Sequence, residues 1–181
     1  MRVITGTARG RRLREPVGSA IRPTTDQVKE AMFDLCQFRV PGSRVLDLFG
    51  GTGQLGIEAA SRGAAAVDIV ERDRTALQLI RENVKLTGLQ NIRVHAADAI
   101  SFLQGCGQYD LILIDPPYDS ALAETALQSV KSFDILSDGG IIICETRAEK
   151  SLSDPGQAYR KLREYRYGKV KLTTIAKETE P

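Results

Sequence analysis

From residue 44 onward, short apolar runs alternate with longer amphipathic stretches. Val45, Leu46, Leu48 and Phe49 predict a first strand, and glycines 50, 51, 53 and 56 mark a turn into a helix ending near Gly63. Val67, Ile69 and Val70 predict a second strand, closed by Glu71. Asp73 caps the next helix, whose apolar positions include Leu77, Ile80 and Val84, and Gly88 stops it. Ile92 and Val94 predict strand three, closed by Asp98. The unbroken run Leu111-Ile112-Leu113-Ile114 reads as a central parallel strand, apolar on both faces. A helix from about Ala121 to Phe133 follows, then a strand at Ile141–Cys144 after the Gly139-Gly140 turn.

The two ends differ from this pattern. Residues 1–14 alternate loosely, with Gly6 and Gly10 as turn candidates, and predict a small hairpin or ordered arm. Arg22-Pro23-Thr24-Thr25-Asp26 introduces a helix, with Thr24 as N-cap and Gln27 three residues on in a capping-box pattern. Val28, Met32 and Leu35 give that helix an apolar stripe, and Pro41-Gly42 ends the segment. In the tail, residues 159–167 and 169–176 predict two strands around Gly168, the second alternating as a half-exposed antiparallel strand does. Right-handed crossovers and short connections then give a doubly wound α/β domain ending in an antiparallel hairpin. No repeat or linker divides it, so one domain spans 1–181, with a basic arm at 1–21 and an α/β core at 22–181.

Composition narrows the class. A chain of 181 residues buries roughly 70% of its unfolded surface. Hydrophobic content of 42% and charged content of 27% suit a soluble globular protein. No apolar run approaches the ~20 residues of a membrane span, and no signal-peptide core precedes the first strand, so no membrane partner and a cytoplasmic location are expected. Cys36, Cys106 and Cys144 lack CxxC spacing and are expected as free thiols. With one histidine, His95, in or beside strand three and expected to be structural, no zinc site or other metal is expected. The net charge of +2 is unevenly spread. Arg2, Arg9, Arg11, Arg12 and Arg14 precede the first acid, Glu15. Arg160, Lys161, Arg163, Arg166, Lys169 and Lys171 are interleaved with Tyr159, Tyr165 and Tyr167. Basic patches with interleaved aromatics suit nucleic acid.

Two segments carry candidate chemistry. Residues 51–56, Gly-Thr-Gly-Gln-Leu-Gly, match G-x-G-x-x-G, and Glu71 lies 20 residues on, placed to accept from two ribose hydroxyls. That fingerprint does not separate NAD from other adenosine cofactors. Asp47, just before the glycine turn, and Asp98, after strand three and placed for an adenine amino group, shift the balance. An acid-rich pocket suits a cationic cofactor without pyrophosphate, and S-adenosylmethionine fits. The second segment is Asp115-Pro116-Pro117-Tyr118. Two prolines cannot extend a central strand. They leave an acid and an aromatic ring at the carboxyl edge of the sheet, where open α/β folds bind ligands. A carboxylate beside a stacking ring suits a planar base held by its amino group.

These segments, with Asp47-Leu48-Phe49-Gly50-Gly51-Thr52-Gly53, resemble class I S-adenosylmethionine-dependent methyltransferases acting on exocyclic amines. The arm from Arg2 to Arg14, the stretch Arg22-Pro-Thr-Thr-Asp-Gln-Val-Lys-Glu-Ala-Met-Phe33, the stretch Leu55–Ala64 and Arg166-Tyr-Gly-Lys169 narrow this. Over roughly residues 2–176 the chain resembles bacterial 16S ribosomal RNA guanine-N2 methyltransferases of the RsmD type. The resemblance implies a Rossmann-like, mostly parallel seven-stranded sheet in the order 3-2-1-4-5-7-6, with helices on both faces. It implies a cofactor site at Asp47, Phe49, Gly51, Gly53, Glu71, Asp98 and Ala99. It implies an amine site at Asp115, Pro116, Pro117 and Tyr118, and RNA contacts from Arg9, Arg11, Arg12, Arg22 and Thr24. The implied partner is 16S rRNA or the small ribosomal subunit, met by a monomer. Ala8 and Gln54 depart from the family pattern. Adenine-N6 methylation of DNA or RNA shares the same amine-site logic. An NAD-binding oxidoreductase or a non-catalytic nucleotide module rests on the glycine fingerprint alone.

Overall fold

The computed structural model describes residues 1–16, 24–117, 121–154, 156 and 158–177. Arg22 and Tyr118, expected in the RNA and amine sites, lie outside these residues. The elements run α1 (Asp26–Asp34), β1 (Arg44–Asp47), α2 (Gln54–Ser61), β2 (Ala66–Glu71), α3 (Arg74–Thr87), β3 (Ile92–Ala96), α4 (Ala99–Leu103), β4 (Tyr109–Ile114), α5 (Leu122–Ser132), β5 (Leu136–Arg147), β6 (Tyr159–Tyr167) and β7 (Val170–Lys177). The seven strands form one sheet in the order β3-β2-β1-β4-β5-β7-β6. β3, β2, β1, β4 and β5 are parallel, and β7 pairs antiparallel with both β5 and β6. This is the Rossmann-like order that the resemblance implied.

The central strands are apolar on both faces because helices cover both. Leu46, Ile112 and Ile142 pack with Leu103 of α4 and Ala126, Leu127 and Val130 of α5. Val45, Leu111, Leu113 and Ile143 face Met32 and Phe33 of α1, Ala59 of α2 and Ile80 of α3. No helix among the described residues is long and apolar enough to cross a membrane. Cys36, Cys106 and Cys144 are free thiols. His95 Nε2 lies 2.6 Å from Asp68 Oδ1, and the Tyr109 hydroxyl donates to Asp68 Oδ2 at 2.9 Å. The histidine is thus tied into the sheet.

Three boundaries differ from expectation. Thr25, not Thr24, caps α1, its hydroxyl accepting from Val28 N at 3.3 Å. β1 ends at Asp47, since Leu48 and Phe49 already belong to the turn. β5 starts at Leu136, so Gly139-Gly140 sits inside the strand, where the pairing with β4 shifts from Tyr109↔Leu136 to Leu111↔Ile141. Gly139, at φ +71°, supplies the irregular backbone that this shift needs.

The N-terminal arm is an ordered hairpin closed by an Arg2↔Arg12 bridge. It is stapled to α2 by buried polar groups rather than by a strand. The fully buried Glu58 accepts from Ile4 N at 2.8 Å, Thr5 N at 2.9 Å and Arg62 Nε at 2.8 Å. Lys29 is also fully buried; its Nζ donates to Arg2 O at 2.6 Å and lies 4.0 Å from Glu58. Burial holds its ammonium below the ordinary lysine pKa, against the nearby Glu58 and Asp26. Thr7 N donates to Ser61 O at 2.8 Å. A Cβ on Gly6, at φ +88°, would stand 1.8 Å from that carbonyl, so only glycine fits there.

Removing Glu58 strands two amide donors and a buried lysine. Glu58→Ala should cost ~3–5 kcal/mol, the range for breaking a buried ion pair, and release the amides of Ile4 and Thr5 to hydrogen exchange. Glu58→Gln, which keeps one acceptor oxygen, should cost less. Thermal melts with exchange mass spectrometry check this, and arm amides that stay protected in Glu58→Ala would disprove the staple.

Candidate active site

β1 and β4 are neighbours, with Asp47 opposite Leu113, so the chain leaving both strands emerges at one edge. From β1 the backbone turns through Gly50, Gly51 and Gly53 into α2. Gly50 N donates to Val70 O at 2.8 Å, and a Cβ there would stand 2.6 Å from Ile69 Cγ2. Gly56 is equally confined, since a Cβ would meet Ile69 Cγ1 at 2.5 Å. It lets α2 lie close on the sheet. Gly51 is different: at φ +54°, a Cβ would meet only Phe49 O, at 3.9 Å. The space in front of it is open to a ligand.

The acids around this turn are held in distinct ways. Glu71, leaving β2, accepts from Gly51 N at 2.9 Å, Arg72 N at 2.8 Å and Asp73 N at 2.9 Å. A carboxylate has about four acceptor sites, so one remains for a ligand hydroxyl. Asp47 is buried; Oδ2 accepts from Gly56 N at 2.9 Å, while Oδ1 has no partner among the described residues. Burial pushes its carboxyl up to about 7, against the Gly56 amide that pulls it down, with further upward pushes from Asp115 and Glu71. Asp98 caps α4, its Oδ1 accepting from Ile100 N at 3.0 Å and Ser101 N at 3.1 Å. Its Oδ2, which takes no part in those cap bonds, lies 3.6 Å from Arg72 Nη1. Ala99 is buried and Phe49 half-buried.

Asp115 is the first residue beyond β4 and is half-buried; Pro116 is buried and Pro117 exposed. Burial raises the Asp115 carboxyl to about 6, and the Thr24 hydroxyl, donating to Oδ2 at 2.6 Å, works against that rise. The turn of β1 and the acid of β4 are therefore side by side, as the strand pattern implied. Arg9, Arg11 and Arg12 are exposed on the arm, whereas Thr24 is turned toward Asp115 rather than capping α1.

Two further buried polar residues adjoin the site: Gln54, which the sequence marked only as a departure from the family pattern, and Asn83, which it did not single out. Gln54 is buried; its Nε2 donates to Thr24 O at 2.9 Å and its Oε1 has no partner among the described residues. Asn83 of α3 is fully buried. Its Nδ2 donates to Thr52 O at 3.0 Å and Arg14 O at 3.2 Å, and its Oδ1 accepts from Arg14 N at 2.7 Å. An amide between Ile80 and Val84 on an apolar helix face was the sequence signal for Asn83.

An edge with unpartnered acceptors, acids held above their ordinary range and an open glycine cradle fits a cationic, hydroxyl-bearing ligand better than a pyrophosphate. The chain is similar to several known proteins. The ribosomal RNA small subunit methyltransferase D of Escherichia coli is 35% identical over 153 residues, covering 84% of this chain and 77% of that protein. Its Haemophilus influenzae namesake is 32% identical over 160 residues, covering 86% and 83%. The solved structure of yhhF from Escherichia coli superposes with a TM-score of 0.90 at 31% identity, covering 99% of each chain. The family described as conserved hypothetical protein 95 matches residues 1–176, and this chain belongs to it.

Proposed function

We propose that this protein transfers a methyl group from S-adenosylmethionine to the exocyclic N2 amine of a guanine in small-subunit ribosomal RNA. The observation that carries the reading is the placement of Asp115 at the carboxyl end of β4, against the glycine turn of the adjacent β1. The relatives' names supply the ribosomal RNA substrate class. Guanine N2, rather than another base amine, rests on the resemblance of the whole chain to RsmD-type enzymes.

Asp47, Phe49, Gly51, Gly53, Glu71, Asp98 and Ala99 would hold the cofactor. The open face of Gly51 admits its backbone, the last acceptor site of Glu71 suits a ribose hydroxyl, and Asp98 Oδ2 suits the adenine amine. Asp47 Oδ1 suits the cationic amine or an ordered water. When bound, S-adenosylmethionine supplies an electrophilic methyl group on a sulfonium. A base amine is a weak nucleophile because its lone pair is drawn into the ring. Asp115 accepts one of its N–H groups and the Asp115 carbonyl accepts the other, which favours a pyramidal nitrogen. The resemblance places Tyr118, outside the described residues, in the amine site, where its ring would stack on the base. Holding nucleophile and methyl in line contributes up to roughly 7–11 kcal/mol. In the transfer the N–C bond would form as the S–C bond breaks, and the nitrogen would then release a proton. A carboxyl near 6 is ionised at neutral pH and close enough to it to take that proton. Arg9, Arg11, Arg12 and Arg22 would contact the RNA backbone. On the same reading the protein acts as a monomer in the cytoplasm, where ribosomal subunits are found.

Purified protein should methylate small subunits from cells lacking the enzyme, with N2-methylguanosine as product by nucleoside mass spectrometry. N6-methyladenosine instead would overturn the choice of base. Asp115→Ala should lower transfer by about 100-fold or more, the scale of general acid–base contributions, while S-adenosylmethionine affinity by calorimetry changes little. If transfer survives, Asp115 does not hold the amine.

The raised acids also predict a pH dependence. Carboxyls held above their ordinary range stabilise the fold fully below about 3.8, and that contribution is lost as pH rises through about 7. A bound cation favours their ionised forms, so cofactor binding should release protons and tighten from pH 5 to 7.5. Asp47→Asn should flatten that slope in calorimetric titrations; an unchanged slope would remove Asp47 from the cofactor's charge environment.

A further inference from the structure

Thr24 sits one residue before the α1 cap, yet its hydroxyl takes no part in capping. Thr25 fills that role through Val28 N. The Thr24 hydroxyl instead donates to Asp115 Oδ2 at 2.6 Å, across 91 residues of sequence. Its backbone carbonyl is held by Gln54 Nε2 at 2.9 Å, and Gln54 is the first residue of α2, directly after the glycine turn. A side-chain amide thus runs from the turn to Thr24, and a hydroxyl runs from Thr24 to the acid.

We propose that Thr24 is a positioning residue for the amine-site carboxylate and that Gln54 fixes Thr24 in place. Thr24 engages one carboxylate oxygen of Asp115 and leaves Oδ1 to meet the target amine. An ionised carboxylate only accepts, so the hydroxyl must donate, and the bond favours the charged form that the amine needs. The β-branched side chain restricts χ1, which keeps the hydroxyl aimed. Among the described residues, the other titratable groups that feel Asp115 are Asp47 from β1 and Cys144 from β5, the latter paired with Ile114 just before Asp115. Asp47 opposes the Asp115 charge, and the buried thiol is held far above its ordinary range, so it stays neutral. Thr24 is therefore the group among these that stabilises the anion. The inference rests on the proposed methyl transfer for its catalytic meaning, but the bond itself does not.

Thr24→Val keeps the shape and removes the donor; Thr24→Ser keeps the donor. With small subunits lacking the methyl group and labelled S-adenosylmethionine, Thr24→Val should lower kcat about 10–100-fold at pH 7, the scale of a hydrogen bond to a charged group. The acid limb of its pH–rate profile should move upward, part of the rate should return at pH 8.5, and KM for RNA should hold. Thr24→Ser should restore both rate and profile. Gln54→Ala should shift the limb in the same direction by less, and a wild-type profile in that variant would break the Gln54 link. Carbon-13 NMR of the Asp115 carboxyl reads the bond without substrate. Its titration should move upward in Thr24→Val, and an unmoved titration, or a wild-type pH–rate profile, would overturn the proposal. A wild-type protein inert toward RNA that still showed the NMR shift would overturn the methyl-transfer reading and leave the relay standing.

Discussion

The parallel pairing of β1 with β4 is the constraint from which the site follows. Val45 faces Leu111 and Asp47 faces Leu113, so the residues just beyond each strand meet at one edge. On the β1 side, Ile69 and Ile80 press on the backbone so closely that Gly50 has no room for a side chain. On the β4 side, Pro116 and Pro117 end the hydrogen-bonded ladder because they bring no N–H. The sheet therefore stops abruptly and leaves a bare backbone turn beside a carboxylate. Burial of both strands on both faces makes this placement stiff.

That edge concentrates acids, and their surroundings separate them. Glu71 meets three backbone N–H groups, Asp47 one, and Asp115 a hydroxyl. A buried carboxylate with few donors is costly to ionise. Hence burial raises Asp47 and Asp115, with Asp115 adding to the push on Asp47. Such a pair is strained toward protonation until a cation arrives between them. On the proposed reading, the cofactor brings positive charge to the acids and the amine brings donors. Each ligand would then supply partners to groups that have few among the described residues.

Much of this was legible in the sequence for a local reason. Strands buried on both faces read as apolar runs, and strand-ending prolines and turn glycines carry their meaning in their own chemistry. Where local signals competed, reading them was harder. Thr24 and Thr25 are equally good caps on paper, and only tertiary contact decides between them. Gly139-Gly140 reads as a turn but is an irregularity within β5, because β4 continues pairing across it. Asp98 carries a helix-cap signal and a ligand signal at once; Oδ1 makes the cap, and on the proposed reading Oδ2 serves the ligand. The long-range contacts of Glu58, Gln54 and Asn83 were silent: these partners lie 54, 30 and 69 residues away, and no short window along the chain contains both ends.

Those silent residues decide how the basic arm relates to the site. Glu58 and Ser61 of α2 hold the start of the arm, and Asn83 of α3 grips both strands' worth of backbone that matter: Arg14 at the arm's end and Thr52 in the glycine turn. Gln54, at the head of α2, holds Thr24 where the chain returns from the arm to α1. The arginines are thus carried on a hairpin indexed to the same helix that starts at the glycine turn. Phosphate contacts set register without reading sequence. A basic arm on a loose tether would raise affinity and leave the base free to wander. On the proposed reading, an arm pinned at both ends would convert backbone attraction into a fixed offset between the bound strand and Asp115, which is what an in-line transfer to one amine demands.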